Sequence, residues 1–315
     1  MSEGLRDRSL QPREDHGMYS RVGVVVAIVV LGACASAQAE RESSPASTRP
    51  APAVSTTSPS PSRTTTTTTT TTIDLTRPAR VRDLVVSPAP APQLFVPRAQ
   101  WLRIARPDGV VQFAAVYRPK QSGLLPVVVY LHGSTGLEDL ELAWAERLAQ
   151  RGFVVVAGCY LDAPASGRFV GCPTLPFGEP TDPSATRASY DALMSVAVAL
   201  PGVRPGPAGV VGVSYGAITA LSIADARVGA IVADSGYGKH GVQPVRAPVL
   251  MLAWTDDGHV SPANIAWFEA ALDAANKPVT AQYYEGSGHV PTLDAGLVGV
   301  DATDRAATFL RRALR

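Results

Sequence analysis

Beyond residue 76 the chain carries short runs that are apolar at every position: VVVYL (127–131), FVVVAG (153–158), GVVGV (209–213), VGAIVA (228–233) and VLMLAW (249–254). A strand with one wet face alternates polar and apolar residues. A continuous apolar run is buried on both faces, as in a parallel sheet covered by helices. Segments of helical spacing at 138–150, 184–200 and 215–226 separate most of the runs, and another at 262–275 follows the fifth. VTAQYYE, Val279–Glu285, reads as one more strand and 301–314 as a closing helix. Ahead of these, Gln100–Pro119 is two strand-like runs around Pro107-Asp108-Gly109, and Asp-Gly between apolar runs predicts a hairpin. RVRDLVV, Arg80–Val86, predicts a first edge strand. Together they predict a three-layer α/β domain over 76–315, a mostly parallel sheet with an antiparallel N-terminal hairpin. Tyr237–Arg246, between the fourth and fifth runs, is too short for an inserted cap domain.

The first third is different. A polar leader precedes VGVVVAIVVLGA, Val22–Ala33. As a helix this run reaches about 18 Å, short of the ~30 Å hydrocarbon layer, so residues 1–33 read as a signal peptide. LGAC, Leu31–Cys34, has the form of a bacterial lipobox and would leave Cys34 as a lipidated N-terminus; ASA, Ala35–Ala37, would instead suit ordinary secretion. Residues 34–75 are rich in Ser, Thr, Pro and Ala and include nine consecutive threonines, Thr64–Thr72. Such a stretch has too little apolar surface to offset ordering entropy and is expected to be a disordered linker. The expectation is an exported protein, either secreted or touching the membrane only through a lipid anchor. The net charge of +1 gives no electrostatic footprint for nucleic acid. If Cys34 is lipidated, Cys159 and Cys172 remain, an even pair that predicts a disulfide in an oxidising compartment. No zinc-type Cys or His spacing and no Gly-rich phosphate loop is present, so no metal and no cofactor is expected. Nothing in the chain speaks to oligomeric state.

In open parallel sheets, sites lie beyond the carboxyl ends of the strands. VVVYL ends in His132-Gly133-Ser134-Thr135-Gly136. GVVGV ends in Ser214, within Gly212-Val213-Ser214-Tyr215-Gly216, the G-x-S-x-G spacing of a nucleophile elbow. VLMLAW runs into Thr255-Asp256-Asp257-Gly258-His259, and VTAQYYE into Gly286-Ser287-Gly288-His289. Nucleophile, acid and base thus follow in the chain order Ser, Asp, His at one sheet edge. A serine needs a base to take its proton, and a carboxylate to hold the base's tautomer. The candidates are Ser214 as nucleophile, His289 as base and Asp257 as acid, with Asp256 and Asp162 as rivals for the acid. The oxyanion donors expected are the backbone N–H groups of Tyr215 and Ser134. His132 reads as a structural loop histidine and His259 as a solvent-exposed one.

From about Trp101 onward the chain resembles the α/β-hydrolases, specifically the dienelactone-hydrolase-like branch. The resemblance rests on the hairpin ahead of an HG strand, Gln100–Gly136, and on Pro248-Val249-Leu250 leading to the acid at Asp257. Trp254 stands where that family has Gly, and Ser214 where dienelactone hydrolases proper carry Cys. The second departure points away from dienelactones and towards general ester or acyl chemistry. The expectation is an exported serine hydrolase acting on small-molecule or cell-envelope esters. An acyltransferase, a thioesterase or an amidase would use the same three residues, and a surface binding protein without turnover would keep only the fold.

Overall fold

The computed structural model describes residues 76–90, 99–161 and 182–315. The signal segment, the lipobox at Cys34, most of the loop 161–183 with Cys172, and Asp162 lie outside the described residues. The chain divides after Thr65, and every described residue belongs to the second unit.

The strands are β1 (Ala79–Val81), β2 (Leu84–Pro88), β3 (Gln100–Ala105), β4 (Val111–Tyr117), β5 (Val127–Leu131), β6 (Val154–Gly158), β7 (Ala208–Val213), β8 (Val228–Asp234), β9 (Val249–Asp256) and β10 (Val279–Ser287). The helices are α1 (Asp139–Ala149), α2 (Pro183–Ala199), α3 (Tyr215–Ile223), α4 (Pro262–Ala274) and α5 (Leu297–Ala313), with a 3-10 turn at Pro291–Leu293. One sheet holds all the described strands in the order β1-β2-β3-β4-β6-β5-β7-β8-β9-β10. The pairs from β6 to β10 are parallel, and those from β1 to β4, with β4–β6, antiparallel.

The continuous apolar runs have the two buried faces they predict. Val127, Val129 and Leu131 of β5 pack on the side of α2, α3 and α4, through residues such as Tyr190, Leu221 and Phe268. Val128 and Tyr130 face the other way, towards Trp144 and Leu148 of α1 and Leu310 of α5. The helices begin where local chemistry satisfies their first N–H groups: the Asp182 carboxylate accepts from Ser184 N (2.8 Å) and Ala185 N (3.4 Å), with Pro183 opening the first turn of α2.

Three boundaries differ from the sequence reading. Arg80–Val86 is a hairpin of two strands, because Arg82 adopts φ 55° and turns the chain between Val81 and Leu84. The helix after Ser214 stops at Ile223, where the Asp225 carboxylate takes up the Arg227 N–H (2.8 Å) and guanidinium and starts β8. The last helix begins at Leu297, four residues early, with Asp294 Oδ1 accepting from Gly296 N (2.8 Å) and Gly299 N (3.4 Å). No helix or strand forms between β8 and β9, so no cap stands there.

Candidate active site

The turn from β7 into α3 carries Ser214 at φ 52°, ψ −116°. A side chain in this region is strained and persists only where its surroundings over-determine it. The flanking glycines supply that constraint. A Cβ on Gly212 would lie 2.2 Å from the Gly216 carbonyl oxygen, and one on Gly216 would lie 2.1 Å from that of Leu131. The Ser214 N–H donates to the Asp234 carbonyl (2.8 Å), and its own carbonyl accepts from Ala217 N (3.0 Å) and Ile218 N (3.2 Å) to begin the helix. Tyr215 is the first residue of α3, so its N–H sits at a helix N-terminus.

At the end of β9 the two aspartates part company. Asp256 is exposed, while the Asp257 side chain is fully buried. Asp257 Oδ1 accepts from His259 N (2.8 Å) and Val260 N (3.0 Å). His289 Nδ1 lies 3.0 Å from Oδ1 and 2.8 Å from Oδ2, so Nδ1 donates to the carboxylate and Nε2 is left as the basic nitrogen. Burial pushes the Asp257 carboxyl up, but the Val260 N–H, His289 and the His259 N–H outweigh it and hold it below the usual carboxylate range. His259 is exposed, as expected, but its ring also lies against that of His289, centroids 4.8 Å apart. That contact had no sequence signal, because it joins two loops.

The turn after β5 is held by a residue that the sequence reading missed. Glu141, in the first turn of α1, is buried; its Oε1 accepts from Gly133 N (3.1 Å) and its Oε2 from Glu138 N (2.6 Å). Burial pushes its carboxyl up to about 7 against the pull of those N–H groups. The Glu-x-x-Glu spacing at Glu138–Glu141 was the available signal. His132 is fully buried against Tyr160 and is drawn down to about 4 by that burial, a neutral structural histidine.

These elements meet in one cavity of about 530 Å³, lined among others by Gly133, Ser134, Ser214, Trp254, His259 and His289. No hydrogen bond joins Ser214 to His289 among the described residues; such contacts often tighten only with substrate bound. Among the described residues no group of three or more His, Cys, Asp or Glu side chains is placed to hold a metal ion.

Residues 113–308 match the model of the dienelactone hydrolase family. The chain belongs to the dienelactone hydrolase family. It is accordingly a carboxylic-ester hydrolase of the α/β-hydrolase fold. The fold is similar to that of a protein described as a dienelactone hydrolase from Klebsiella pneumoniae subsp. pneumoniae MGH 78578, at 20% identity and a TM-score of 0.52, covering 73% of this chain and 99% of that one. It is also similar to the dienelactone hydrolase-like promiscuous phosphotriesterase P91 from metagenomic libraries (17% identity, TM-score 0.55, 69% of this chain and 100% of that one). A thermophilic esterase, Est2 of Thermogutta terrifontis, shares 17% identity at a TM-score of 0.51, over 69% of this chain and 94% of that one. No curated protein matches. Trp254, which stands where dienelactone hydrolases are expected to carry Gly, is nearly buried at the end of β9. Its indole packs beneath the turn before His289, where a Cβ on Gly288 would meet Trp254 Nε1 at 2.7 Å.

Proposed function

We propose that the protein cleaves carboxylic esters through an acyl-enzyme on Ser214, with His289 as general base, Asp257 as its orienting acid, and the Ser134 and Tyr215 N–H groups as oxyanion donors. The observation that carries this reading is the Asp257–His289 pair opening, with its free Nε2, onto the same cavity as the strained Ser214. Nε2 takes the Ser214 proton as Oγ attacks the ester carbonyl. The tetrahedral oxyanion collapses, and the leaving alcohol takes the proton from Nε2. Water, deprotonated by the same nitrogen, then attacks the acyl-serine and frees the acid and Ser214. No step calls for a cofactor. The substrates are small-molecule or cell-envelope esters.

The test is labelling by a fluorophosphonate probe together with turnover of a p-nitrophenyl ester series. Ser214→Ala is expected to abolish labelling and lower kcat by about 10³-fold or more. Asp257→Asn should be nearly as severe, through the wrong histidine tautomer, and Asp256→Asn mild. Undiminished labelling of Ser214→Ala would put the nucleophile elsewhere.

Export is part of the same proposal: a lipid anchor on Cys34 and a Cys159–Cys172 bond across the loop that follows β6. The apolar segment Val22–Ala33, which runs directly into Cys34, supports the anchor. The burial of Cys159 directly after β6, where the loop towards Cys172 begins, supports the pairing. Mass spectrometry of the exported protein is expected to find a diacylglyceryl group on Cys34 and a non-reduced peptide joining Cys159 to Cys172. An unmodified Cys34 or two alkylatable thiols would refute the corresponding half.

A further inference from the structure

Two consecutive residues at the end of β8 take no part in the chemistry above, yet both reach the segment that carries His289. Asp234 and Ser235 are fully buried. Ser235 Oγ accepts from Val290 N (3.0 Å). Asp234 Oδ2 accepts from Thr292 N (2.9 Å) and, in a short bond, from the Thr292 hydroxyl. Val290, directly after His289, sits at φ 59°, a left-handed conformation that is a genuine outlier for a β-branched residue. Such a turn persists only where its neighbours hold it, and the bonds to Asp234 and Ser235 do so from within the sheet. On its other side Asp234 accepts the Ser214 N–H with its backbone carbonyl (2.8 Å).

We propose that Asp234 is a positioning residue for the Ser214–His289 pair: its backbone holds the elbow, while its carboxylate, together with Ser235, holds the strained turn that bears the base. The proposal rests on the reading of Ser214 as nucleophile and His289 as base. One buried residue thereby sets where Nε2 stands relative to Oγ, although it touches neither substrate nor reacting atom. Burial also pushes the Asp234 carboxyl up to about 7, with Asp257 contributing, so the site retains a carboxyl that is costly to ionise. Two donors converge on Oδ2 alone, and an amide oxygen at the same place can accept both.

The variants separate positioning from bulk stability. Misplacement of a base by about 1 Å can cost roughly 100-fold. Asp234→Ala is therefore expected to lower kcat for p-nitrophenyl acetate by about 100-fold with KM within about threefold, and Asp234→Asn to restore kcat to within about fivefold of wild type. Thr292→Val, which removes one donor and keeps the shape, should lower kcat by about tenfold. Each variant is read alongside its melting curve. A folded Asp234→Ala enzyme with wild-type kcat overturns the proposal, and so does a loss that Asn does not rescue. Should Asp234→Ala fail to fold, wild-type kcat in both Thr292→Val and Ser235→Ala overturns it. Ser214→Ala and His289→Ala run in parallel. Turnover surviving in either refutes the nucleophile–base reading itself, whereas wild-type kcat in the Asp234 variants beside inactive Ser214→Ala and His289→Ala refutes only the positioning role.

Discussion

Glu141 shows how a single side chain can shape a site without entering the reaction. Its two carboxylate oxygens each take one N–H, from Gly133 and from Glu138. With the Gly133 N–H committed to Glu141, the next N–H along the turn, that of Ser134, is the one proposed to meet the oxyanion. A glutamine offers one acceptor oxygen and an NH2 group, which would face a backbone N–H donor to donor. The turn must then shift by enough to relieve that contact. Removing a whole oxyanion donor costs about 10²–10³ in kcat in other enzymes. Glu141→Gln only displaces one, and is expected to lower kcat by about tenfold with KM little changed. Steady-state kinetics on a p-nitrophenyl ester check this; an unchanged kcat would mean that the turn is held by other contacts.

At the scale of elements, what could be read from sequence was what physical chemistry writes locally. β5, β6, β7, β8 and β9 carry no polar side chain before their last one or two positions, and only a doubly covered sheet accepts such runs. Ser214 and His289 stood out as candidates in the sequence because each lies just beyond a predicted strand among small residues, Gly212 and Gly216 for one and Gly286 to Gly288 for the other. The elements that escaped depend on conformations or partners that have no local mark. Arg82-Asp83 turns the chain between β1 and β2 without the Gly or Asn that normally announces such a turn. The ends of α3 and α5 are set by Asp225 and Asp294, whose side chains bond backbone just outside the helices. Asp256 stayed a rival to Asp257 in the sequence because adjacent residues at a strand end face opposite ways, and a one-residue register decides which is inside. Asp234 lies 58 residues from the threonine it binds, a separation at which a buried carboxylate looks like any other aspartate. Trp254 and Gly288 are a further case. Each looks anomalous alone, but together the glycine makes room for the indole.

At the largest scale, the described residues form two kinds of sheet joined along a single ladder. β1 to β4 form an antiparallel meander, and it meets the parallel strands only where Ala114–Tyr117 pair with Val155–Gly158. β1, β2 and β3 lie ahead of the region matched by the family, which begins within β4 at residue 113. Ser134, Ser214, Asp257 and His289 each follow one of the parallel strands β5, β7, β9 and β10. Side-chain ties from Arg106 Nη1 to Ser189 Oγ (2.6 Å) and from Gln112 Nε2 to the Ser189 carbonyl (3.0 Å) pin the meander to α2. The consequence of that seam appears in time rather than in space. Opening it breaks one ladder, a few side-chain bonds and the packing of residues such as Leu102 and Ile104 beneath α2, while the ladders among β5 to β10 stay closed; subglobal openings of this kind expose their amides long before global unfolding does. Hydrogen exchange should therefore give β2 and β3 clearly faster rates than β7, and equal protection across the sheet would refute this. The parallel half then runs on the slower clock, and Ser214 stays reactive towards a probe while the N-terminal strands breathe.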